Sequence, residues 1–521
     1  MKRRTVLKAG LAVLAAPALA QGVRRIRFVP HANLAVLDPV ASSAYVTRNH
    51  GFLVWDTLYG IDAEYRARPQ MVAGHTVEDG GLRWTFTLRE GLRFHDGEPV
   101  RAADCVASIR RWGARDTMGQ TIMRIVDEIR ATSDRDFAIR LKRPFPLMLD
   151  AFGKLSTQAL FIVPERVGLS DPLVPSTESV GSGPFRFLRG EWVPGDRAVF
   201  ERFEGYRPRA EPPDGAAGGK RVLVDRIVWR IIPDAATAAA ALQTGEVDWY
   251  EQPAFDLLPI LERNRDIVIE TTDPLGSLMM IRFNHLHPPF NNPKIRQAVM
   301  VAVKQEDYLQ AVVGNPKYMR ECKSYFTCGT PLANDAGTAV MTGNLDQAKR
   351  MLAEAGYSNE KVVVTSPSDS PTIHAQGLVT ADLLQRLGMN VEFVATDWGT
   401  VLSRRANRNP VGQGGWSIFH TWWVGPDLAN PALHAPLRTH GGAAWPGWPE
   451  DATIEALRIR YLEARDLEEQ KGVAVEIQKR AFEVVPYVTL GQMWLPMAFR
   501  RYVQDIVAAP IPFFWGVKRA A

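Results

Sequence analysis

Apolar and polar residues alternate in short stretches through the first third of the chain, which is the pattern of half-buried strands. The segment from Trp84 to Leu88 alternates in this way, and a turn is indicated at Asp96-Gly97. The pattern then changes to helical spacing and places Cys105 on the same face as Trp112. This order predicts a hairpin-like unit followed by a helix, with Cys105 as a buried thiol rather than a nucleophile.

A strand, helix, strand series occurs in the second half of the chain. The runs "KVVVTS" and "NVEFVA" flank a helical pattern from His374 to Leu387, and Gly388 stands where a left-handed helix cap belongs. Two further helical patterns lie between Ile454 and Val485, and Pro486 ends the second. The series predicts an α/β lobe that contains parallel strands.

The stretch "FNHLHPPFNNPKIRQAV" carries two histidines two residues apart, His285 and His287. Residues at this spacing share one face of a strand and could chelate a metal ion, but no Cys, Asp or Glu is close enough in sequence to complete a four-ligand site. A framework or pocket-wall role is favoured over metal, with His285 as the better candidate for a ligand contact. Asn292 and Pro293 predict the start of a helix.

The first twenty residues have the composition of an export signal. Four basic residues precede a short Ala/Leu/Val run, and Ala18-Leu19-Ala20 predicts cleavage after Ala20. Arg3-Arg4 resembles the twin-arginine pattern, although Sec export leads to the same compartment. Removal of the signal lowers the formal charge from +5 to +1, so a nucleic-acid-binding surface is not indicated. We expect the mature protein to be periplasmic, with no nucleic-acid partner.

Composition and motifs narrow the function further. The 521 residues are 46% hydrophobic and 23% charged, which is ordinary globular composition and enough for two or more domains. No later apolar run reaches the length of a membrane span, and the motifs of serine hydrolases, zinc proteases, P-loops and dinucleotide sites are absent from the sequence. Cys322 and Cys328 are close enough to permit a small disulfide loop, and residues 205–220 are expected to be an exposed connector.

Aromatic residues cluster before a turn in "GGWSIFHTWWVGPDLANP". Trp416 is expected in the core, whereas the adjacent Trp422 and Trp423 face opposite sides of a strand, so one of them can border a cleft. Asp427 follows in the turn. An aromatic wall beside a carboxylate is typical of a ligand site, although core plus turn explains the same pattern.

Eight segments, taken in order, resemble one protein family. They are "LDP" (37–39), "VWDTLY" (54–59), "WTFTLREGLRFHDGEPVRAADCVASI" (84–109), "SVGSGPFRF" (179–187), "ALQTGEVDW" (241–249), "FNHLHPPFNNPKIRQAV" (283–299), "AKRMLAEAGY" (348–357) and the "GPD" turn (425–427). The family is that of the extracellular solute-binding proteins of family 5, the peptide, opine and nickel receptors of ABC importers. The chain departs from it at Arg101, where the family usually has Thr, in a longer insertion after Tyr206, and at Pro426-Asp427, where an Asp-Pro pair is common.

The resemblance implies an α/β fold, that of a two-lobed periplasmic binding protein (type II, large peptide-binding class) with an additional N-terminal subdomain. The implied division of the chain is as follows. Residues 1–20 are the signal peptide; 21–53, 180–273 and 496–521 form lobe I; 54–179 form the additional subdomain of lobe I; and 274–495 form lobe II. A crossing segment into lobe II would run from about Pro274 through Phe283.

The resemblance also implies which residues face the cleft. They are Asn33, Tyr45, Glu251, His285, Trp398, Trp422, Trp423 and Asp427. Glu251 and Asp427 could receive a cationic or amine-bearing ligand through charge-assisted hydrogen bonds, while the tryptophans offer apolar and cation-π surface. A solvated loop charge explains Glu251 equally well, and a core position explains Tyr45 and Trp398.

The implied function is that of a receptor, not an enzyme. It is the monomeric periplasmic component of an ABC importer that binds a short peptide or amine-bearing solute and delivers it to permease subunits at the inner membrane. No cofactor and no resident metal are expected. The alternatives are a nickel or metal-chelate receptor and a secreted hydrolase, the latter requiring a nucleophile beside a base in the cleft.

Overall fold

The computed structural model of the protein describes residues 24–520, so the predicted export signal lies outside the described residues. The helices are α1 Tyr45–Val54, α2 Ala102–Gly113, α3 Thr117–Ile125, α4 Met148–Gly153, α5 Glu165–Gly168, α6 Ala235–Thr244, α7 Leu258–Glu262, α8 Pro293–Ala302, α9 Gln305–Val312, α10 Leu345–Glu354, α11 Pro371–Arg386, α12 Trp398–Arg405, α13 Gly425–Leu428, α14 Ala452–Glu463 and α15 Leu467–Val484. None of these helices is long and apolar enough to cross a membrane.

The strands are also numbered in chain order. They are β1 Arg25–Val29, β2 Tyr59–Ile61, β3 Ala67–Pro69, β4 Val72–Glu78, β5 Arg83–Leu88, β6 Val126–Ala131, β7 Asp136–Leu141, β8 Phe185–Phe187, β9 Arg197–Arg202, β10 Arg226–Arg230, β11 Trp249–Tyr250, β12 Ile267–Glu270, β13 Ser277–Phe283, β14 Met319–Arg320, β15 Lys361–Pro367, β16 Asn390–Thr396, β17 Ile418–Val424, β18 Tyr487–Met493, β19 Met497–Arg500, β20 Val503–Gln504 and β21 Lys518–Arg519.

The first large sheet gathers strands that are far apart in sequence. Its order is β12-β19-β11-β1-β10-β9-β8, and β1 is parallel to both β10 and β11. Phe28 of β1 packs edge-on against Trp249, at 5.2 Å between ring centroids, and against Phe514, at 5.0 Å. Aromatic burial of this kind contributes both apolar area and favourable ring geometry, so it joins the C-terminal segment to the first strand.

A four-stranded antiparallel sheet, β4-β5-β7-β6, stands apart and carries α2 and α3. The predicted alternation is confirmed in β5, where Trp84, Phe86 and Leu88 are buried. Cys105 of α2 is a buried free thiol, and burial raises its pKa. The pattern in the sequence therefore located both the hairpin and the face of the following helix.

The second large sheet has the order β14-β18-β13-β17-β15-β16. β15 and β16 are parallel and α11 connects them, as the strand, helix, strand pattern predicts. The predicted helix start is also confirmed, because the Asn292 side chain accepts a hydrogen bond from the Lys294 N–H and Pro293 is the first residue of α8. β13, at the centre, is buried along its whole length.

The chain passes between the two large sheets at two places, residues 271–276 and 494–496. These crossings contact each other: the Trp494 indole N–H donates to the Pro274 carbonyl at 3.2 Å, and the side chain of Gln492, at the end of β18, donates to the Leu275 carbonyl at 2.6 Å. Paired crossing segments can act as a hinge between rigid bodies. The division of the chain into lobes at residues 273/274 and 495/496 remains a prediction.

The expectation of an exposed connector at residues 205–220 is wrong for its second half. Ala216, Ala217 and Lys220 are buried, and the Lys220 ammonium pairs with the Asp56 carboxylate at 2.7 Å. Abundant Gly, Pro and Ala indicate irregular backbone, but these small residues also allow close packing, and here the backbone of Ala216 lies against Gly60.

The structure joins Cys322 and Cys328 in a disulfide. The loop that it closes precedes the turn at Gly329, and the Cys322 backbone N–H donates to the Gln305 side chain at 2.8 Å. The bond therefore ties a loop that is already held to α9.

Candidate functional site

Two cavities lie among helices and loops contributed by distant parts of the chain. The larger cavity, of about 600 Å³, is lined by residues 35–43, 114–120, 154–158 and 399–448. The second, of about 450 Å³, is here called the apolar cavity because its walls are mostly aliphatic and aromatic; Asp427 also lines it. The two share part of their wall. A cleft of this size and composition, between separate structural bodies, suits a small organic ligand.

Tyr45 and Asp427 meet across the cleft from different lobes of the predicted division. The Tyr45 hydroxyl donates to Asp427 Oδ2 at 2.8 Å and accepts the Val424 N–H at 2.9 Å. The other carboxylate oxygen, Asp427 Oδ1, is buried and has no hydrogen-bond partner in the described part of the chain. Burial raises the pKa of Asp427 to about 6, while the nearby Arg48 guanidinium acts in the opposite direction. Such a carboxylate has one oxygen free to bind a cationic donor.

Arg48 lies behind this pair. Its guanidinium stacks on the Tyr45 ring, 4.2 Å from the centroid, and donates to the Asn49 side chain and the Leu155 carbonyl. Burial lowers the pKa of Arg48, and the surrounding acidic groups oppose that shift. The donors of Arg48 are therefore used by other protein groups, and its charge acts on Asp427 electrostatically, without a direct hydrogen bond.

Glu251 is close to the cleft but its oxygens are occupied. One oxygen accepts the His31 backbone N–H at 2.7 Å and contacts the His31 ring at 2.8 Å, and the other accepts the Asn49 side-chain N–H at 3.1 Å. A carboxylate held in this way organises the first lobe and has little capacity left for a ligand.

Four tryptophans form an aromatic wall near the cleft: Trp398, Trp422, Trp423 and Trp445. Trp422 stacks on the Tyr45 ring at 5.2 Å between centroids, and Trp423 reaches the larger cavity as well. Trp416 is buried in the core, as predicted. Trp422 and Trp423, which both belong to the cleft-facing set that the resemblance implies, line this wall together.

Arg405 was missed by reasoning from the sequence. It ends α12, is 7% exposed, and lines both the aromatic wall and the larger cavity. Its guanidinium lies 5.6 Å from the Trp398 and Phe419 ring centroids and 5.3 Å from that of Trp445. The sequence does contain a signal that could have found Arg405. It lies seven residues after Trp398, and this spacing places the two side chains on one face of a helix.

Arg405 has few polar partners for a buried cation. One of its N–H groups donates to the Ser43 hydroxyl at 2.9 Å, and no carboxylate of residues 24–520 forms an ion pair with it. Burial lowers its pKa to about 9.

Two of the residues proposed from sequence, Asn33 and His285, lie away from these cavities, and so does His287, which was not proposed. The Asn33 side chain accepts the Gly195 N–H at 3.0 Å. The His285 ring contacts the Pro486 carbonyl at 3.2 Å, and His287 contacts the Arg408 carbonyl at 2.7 Å. None of the three lines the two cavities or the aromatic wall. The structure therefore brings together Tyr45, Trp398, Trp422, Trp423 and Asp427, with Glu251 behind them.

A metal centre finds no support in the cleft. Within residues 24–520, one group of three potential metal ligands lies close together, Asp62, Glu64 and Asp214, and it does not line the cavities. Asp62 already pairs with Arg66 and Arg68, at 3.2 and 2.7 Å. The pair His285 and His287 gains no third ligand.

The sheets, the two crossings and the cleft between them define a two-lobed periplasmic binding protein of the oligopeptide-binding class. Two solved structures share this fold: the PBP AgaA from A. tumefacien R10 in complex with agropinic acid, and DppA from Helicobacter pylori in complex with peptide STSA. AgaA has a TM-score of 0.80 at 19% identity and covers 95% of this chain and 99% of its own. DppA has a TM-score of 0.79 at 21% identity, covering 95% and 98%.

The chain belongs to the bacterial extracellular solute-binding proteins, family 5, whose model (the "Middle" region) matches residues 66–444. A relative from Sinorhizobium fredii, described as a probable peptide ABC transporter periplasmic-binding protein, y4tO, is 39% identical over 100% of both chains. Proteins of this family are transport receptors rather than enzymes. The chain is the solute-binding component of an ABC importer.

Proposed function

We propose that the mature protein is a periplasmic receptor that captures a short peptide or another amine-bearing organic solute between its two lobes. The observation that carries this proposal is the Asp427 carboxylate, which is buried in the cleft with Oδ2 held by Tyr45 and Oδ1 without a partner. A ligand ammonium would supply the missing donor and compensate the buried charge.

The surroundings of Asp427 suit the rest of such a ligand. Trp422 and Tyr45 offer stacked aromatic faces on one side, and the apolar cavity offers aliphatic walls on the other. Burying an apolar side chain there would contribute about 1.5 to 3 kcal/mol. Peptide binding by DppA and the peptide description of the Sinorhizobium fredii relative agree with this class of ligand.

Delivery to a permease requires that ligand binding change the arrangement of the lobes. Three contacts join residues of different predicted lobes: Tyr45 with Asp427, the Arg458 guanidinium with the Thr121 hydroxyl at 3.2 Å, and Arg438 with the Thr117 carbonyl at 3.3 Å. A solute that binds the closed form more tightly than the open form shifts the population toward closure, which the permease subunits can recognise. The receptor is proposed to act as a monomer.

The proposal is tested by thermal shift and calorimetry with a defined panel. The panel holds the peptide Ser-Thr-Ser-Ala, the dipeptide Met-Leu, glutathione, agropinic acid, and nickel chloride with histidine. We expect a peptide to raise the melting temperature, since 100 times the Kd adds about 2.7 kcal/mol to the free energy of unfolding. Mass spectrometry should recover the peptide unchanged.

Asp427→Asn is the matched variant, because it keeps the shape of the side chain and removes the charge. It should weaken peptide binding while Glu251→Gln, beside the same cleft, does so to a smaller extent. Stabilisation by nickel with histidine alone, or consumption of a peptide, would contradict the proposal and favour the metal-chelate receptor or the hydrolase, respectively.

A further inference from the structure

The disulfide loop, here residues 322–328, packs beside the candidate site. The first part of the loop is held to α15, because the Ser324 hydroxyl and the Tyr325 N–H both donate to the Gln478 side chain, at 2.7 and 3.1 Å. The Cys322–Cys328 bond returns the end of the loop to its start. The residues that follow, 329–332, line the apolar cavity. The loop is therefore a fixed element at the wall of the cleft.

Thr327 is the residue through which this loop contacts α13. Its side chain is fully buried, its hydroxyl donates to the Gly425 carbonyl at 2.7 Å, and its backbone N–H donates to the Leu428 carbonyl at 3.3 Å. Gly425 and Leu428 are the first and last residues of α13, and Asp427 lies between them. One residue of the loop thus holds both ends of the helix that carries the carboxylate.

The short helix α13 depends on such contacts for its orientation. It has four residues and no side-chain cap, and a single helical turn has little stability of its own. A further hydrogen bond, from the Gly425 N–H to the Gly276 carbonyl at 2.6 Å, joins it to the crossing segment 271–276. The Asp427 side chain bonds to Tyr45, from the other predicted lobe, and to no group of its own lobe among the described residues. In an open receptor the position of this carboxylate therefore follows that of the α13 backbone.

We propose that Thr327 is a positioning residue for the solute's ammonium: it fixes α13 so that Asp427 presents its free oxygen, Oδ1, to the cleft. This inference rests on the proposed function and deepens it, because it identifies what holds the binding carboxylate in place. Thr327 itself lines neither the two cavities nor the aromatic wall. A carboxylate that is already oriented binds without the cost of ordering it, so a hydroxyl that does not touch the solute contributes to affinity.

The test is a double-mutant cycle between Thr327 and Asp427. Calorimetry measures the affinity for Ser-Thr-Ser-Ala and Met-Leu of the unmodified protein, Thr327→Val, Asp427→Asn and the double variant. We expect Thr327→Val to bind about 5 to 10 times more weakly than the unmodified protein, through the loss of one neutral hydrogen bond. In the Asp427→Asn background the same change should alter the affinity by about twofold or less, because the charged oxygen that Thr327 positions is gone. A residue needed only for the fold would weaken binding equally in both backgrounds.

Further variants separate the hydrogen bond from the general effects of substitution. Thr327→Ser keeps the hydroxyl and should retain the affinity within about twofold. Thr327→Ala removes the hydroxyl without placing a methyl group against the Gly425 carbonyl, so it repeats the cycle independently of strain in the valine variant. Thr365→Val is the matched control: its hydroxyl is also buried and donates to the Ile418 carbonyl at 3.2 Å, but it belongs to β15, and its loss should change the affinity by about twofold or less. Circular dichroism and the melting temperature verify that each variant is folded.

The outcomes separate the two proposals. Undiminished affinity in Thr327→Val and Thr327→Ala, or equal losses in the two backgrounds, overturns the positioning role while the amine-binding receptor stands. A loss of the same size in Thr327→Ser or in Thr365→Val also overturns it. Failure of every peptide to bind the unmodified protein overturns the proposed function, and the positioning role with it.

Discussion

Two buried arginines lie against the same tryptophan and have different roles. Arg282 and Arg405 are 4.9 and 5.3 Å from the Trp445 ring centroid, and burial lowers the pKa of each to about 9. Arg282 donates to four backbone carbonyls at 2.8 to 3.0 Å, those of Pro436, Trp445, Pro446 and Pro486. The Arg405 guanidinium donates one hydrogen bond, to the Ser43 hydroxyl at 2.9 Å.

Burial and a lowered pKa therefore do not by themselves identify a binding residue. Arg282 ties three chain segments to the central strand β13, and its donors are used within the protein. Arg405 is also buried, at 7% exposure, but most of its donors have no protein partner in the described part of the chain. Glu251 and Asp427, two acidic residues near the cleft, repeat the contrast, since Glu251 has both oxygens bonded and Asp427 has one free.

The largest effect is expected from Arg282→Met. This change removes four hydrogen bonds to backbone carbonyls, and two of these carbonyls, those of Pro436 and Pro446, have no other donor in the described part of the chain. It should lower the free energy of unfolding by about 4 kcal/mol or more, as loss of a buried network does. Arg405→Met should change it by about 1 kcal/mol or less, because one hydroxyl loses a partner and an unpaired charge is removed. Urea denaturation of both variants measures the two free energies of unfolding, and equal losses would contradict the distinction between the two arginines.

A smaller effect is expected at the two carboxylates, measured as affinity for Ser-Thr-Ser-Ala. Asp427→Asn should weaken binding by about 10- to 100-fold, because it removes a charge-assisted hydrogen bond to the ligand ammonium. Glu251→Gln should weaken it by about threefold or less and act on stability instead, through His31 and Asn49. Calorimetry of both variants and their melting temperatures decide between these roles, and a greater loss of affinity in Glu251→Gln would reverse the assignment.

The third effect is a dependence on pH. Burial raises the pKa of Asp427 from 3.8 to about 6. Between these two pH values the carboxyl group is protonated in the folded, ligand-free protein and ionised in the unfolded chain. This group's contribution to stability is therefore present below pH 4 and lost as pH rises toward 6. Binding of an ammonium needs the ionised form, so peptide affinity should be full above pH 6 and fall as the pH is lowered through that value. Asp427→Asn should remove this dependence, as calorimetry over pH 4.5 to 7.5 would show.

The smallest effect is expected at the histidine pair. His287→Gln should change neither peptide affinity nor nickel content, and should change stability by about 0.5 kcal/mol or less, since the residue is partly exposed and lies outside the cavities. Metal analysis and calorimetry check this. If the unmodified protein contains one nickel ion per chain and His287→Gln loses it, residues 283–299 have a metal-binding role.

Hydrophobic periodicity and capping residues predicted individual helices and strands, because both signals depend on residues that are neighbours in sequence. The strand, helix, strand series of β15, α11 and β16 and the start of α8 at Pro293 are read from periodicity and capping. The aromatic cluster pointed to Asp427, but its pairing with Tyr45 was not predicted, since the hydrogen bond joins residues 382 positions apart. Arg405 was missed because its distinguishing feature is that it is buried without a carboxylate partner in the described part of the chain. Only the three-dimensional structure reveals that feature.

Arg458 and Arg438 contact α3 across the predicted lobe boundary, and the contact of Arg458 with Thr121 lies outside the lining of the larger cavity. The strength of these contacts sets the fraction of ligand-free receptor that is closed. The observed dissociation constant equals the intrinsic dissociation constant of the binding-competent form divided by the fraction of the protein in that form. Substitutions at Thr121 could therefore retune affinity for every solute by the same factor, leaving the choice among solutes untouched. Selectivity and sensitivity are thus adjustable at separate places in the fold.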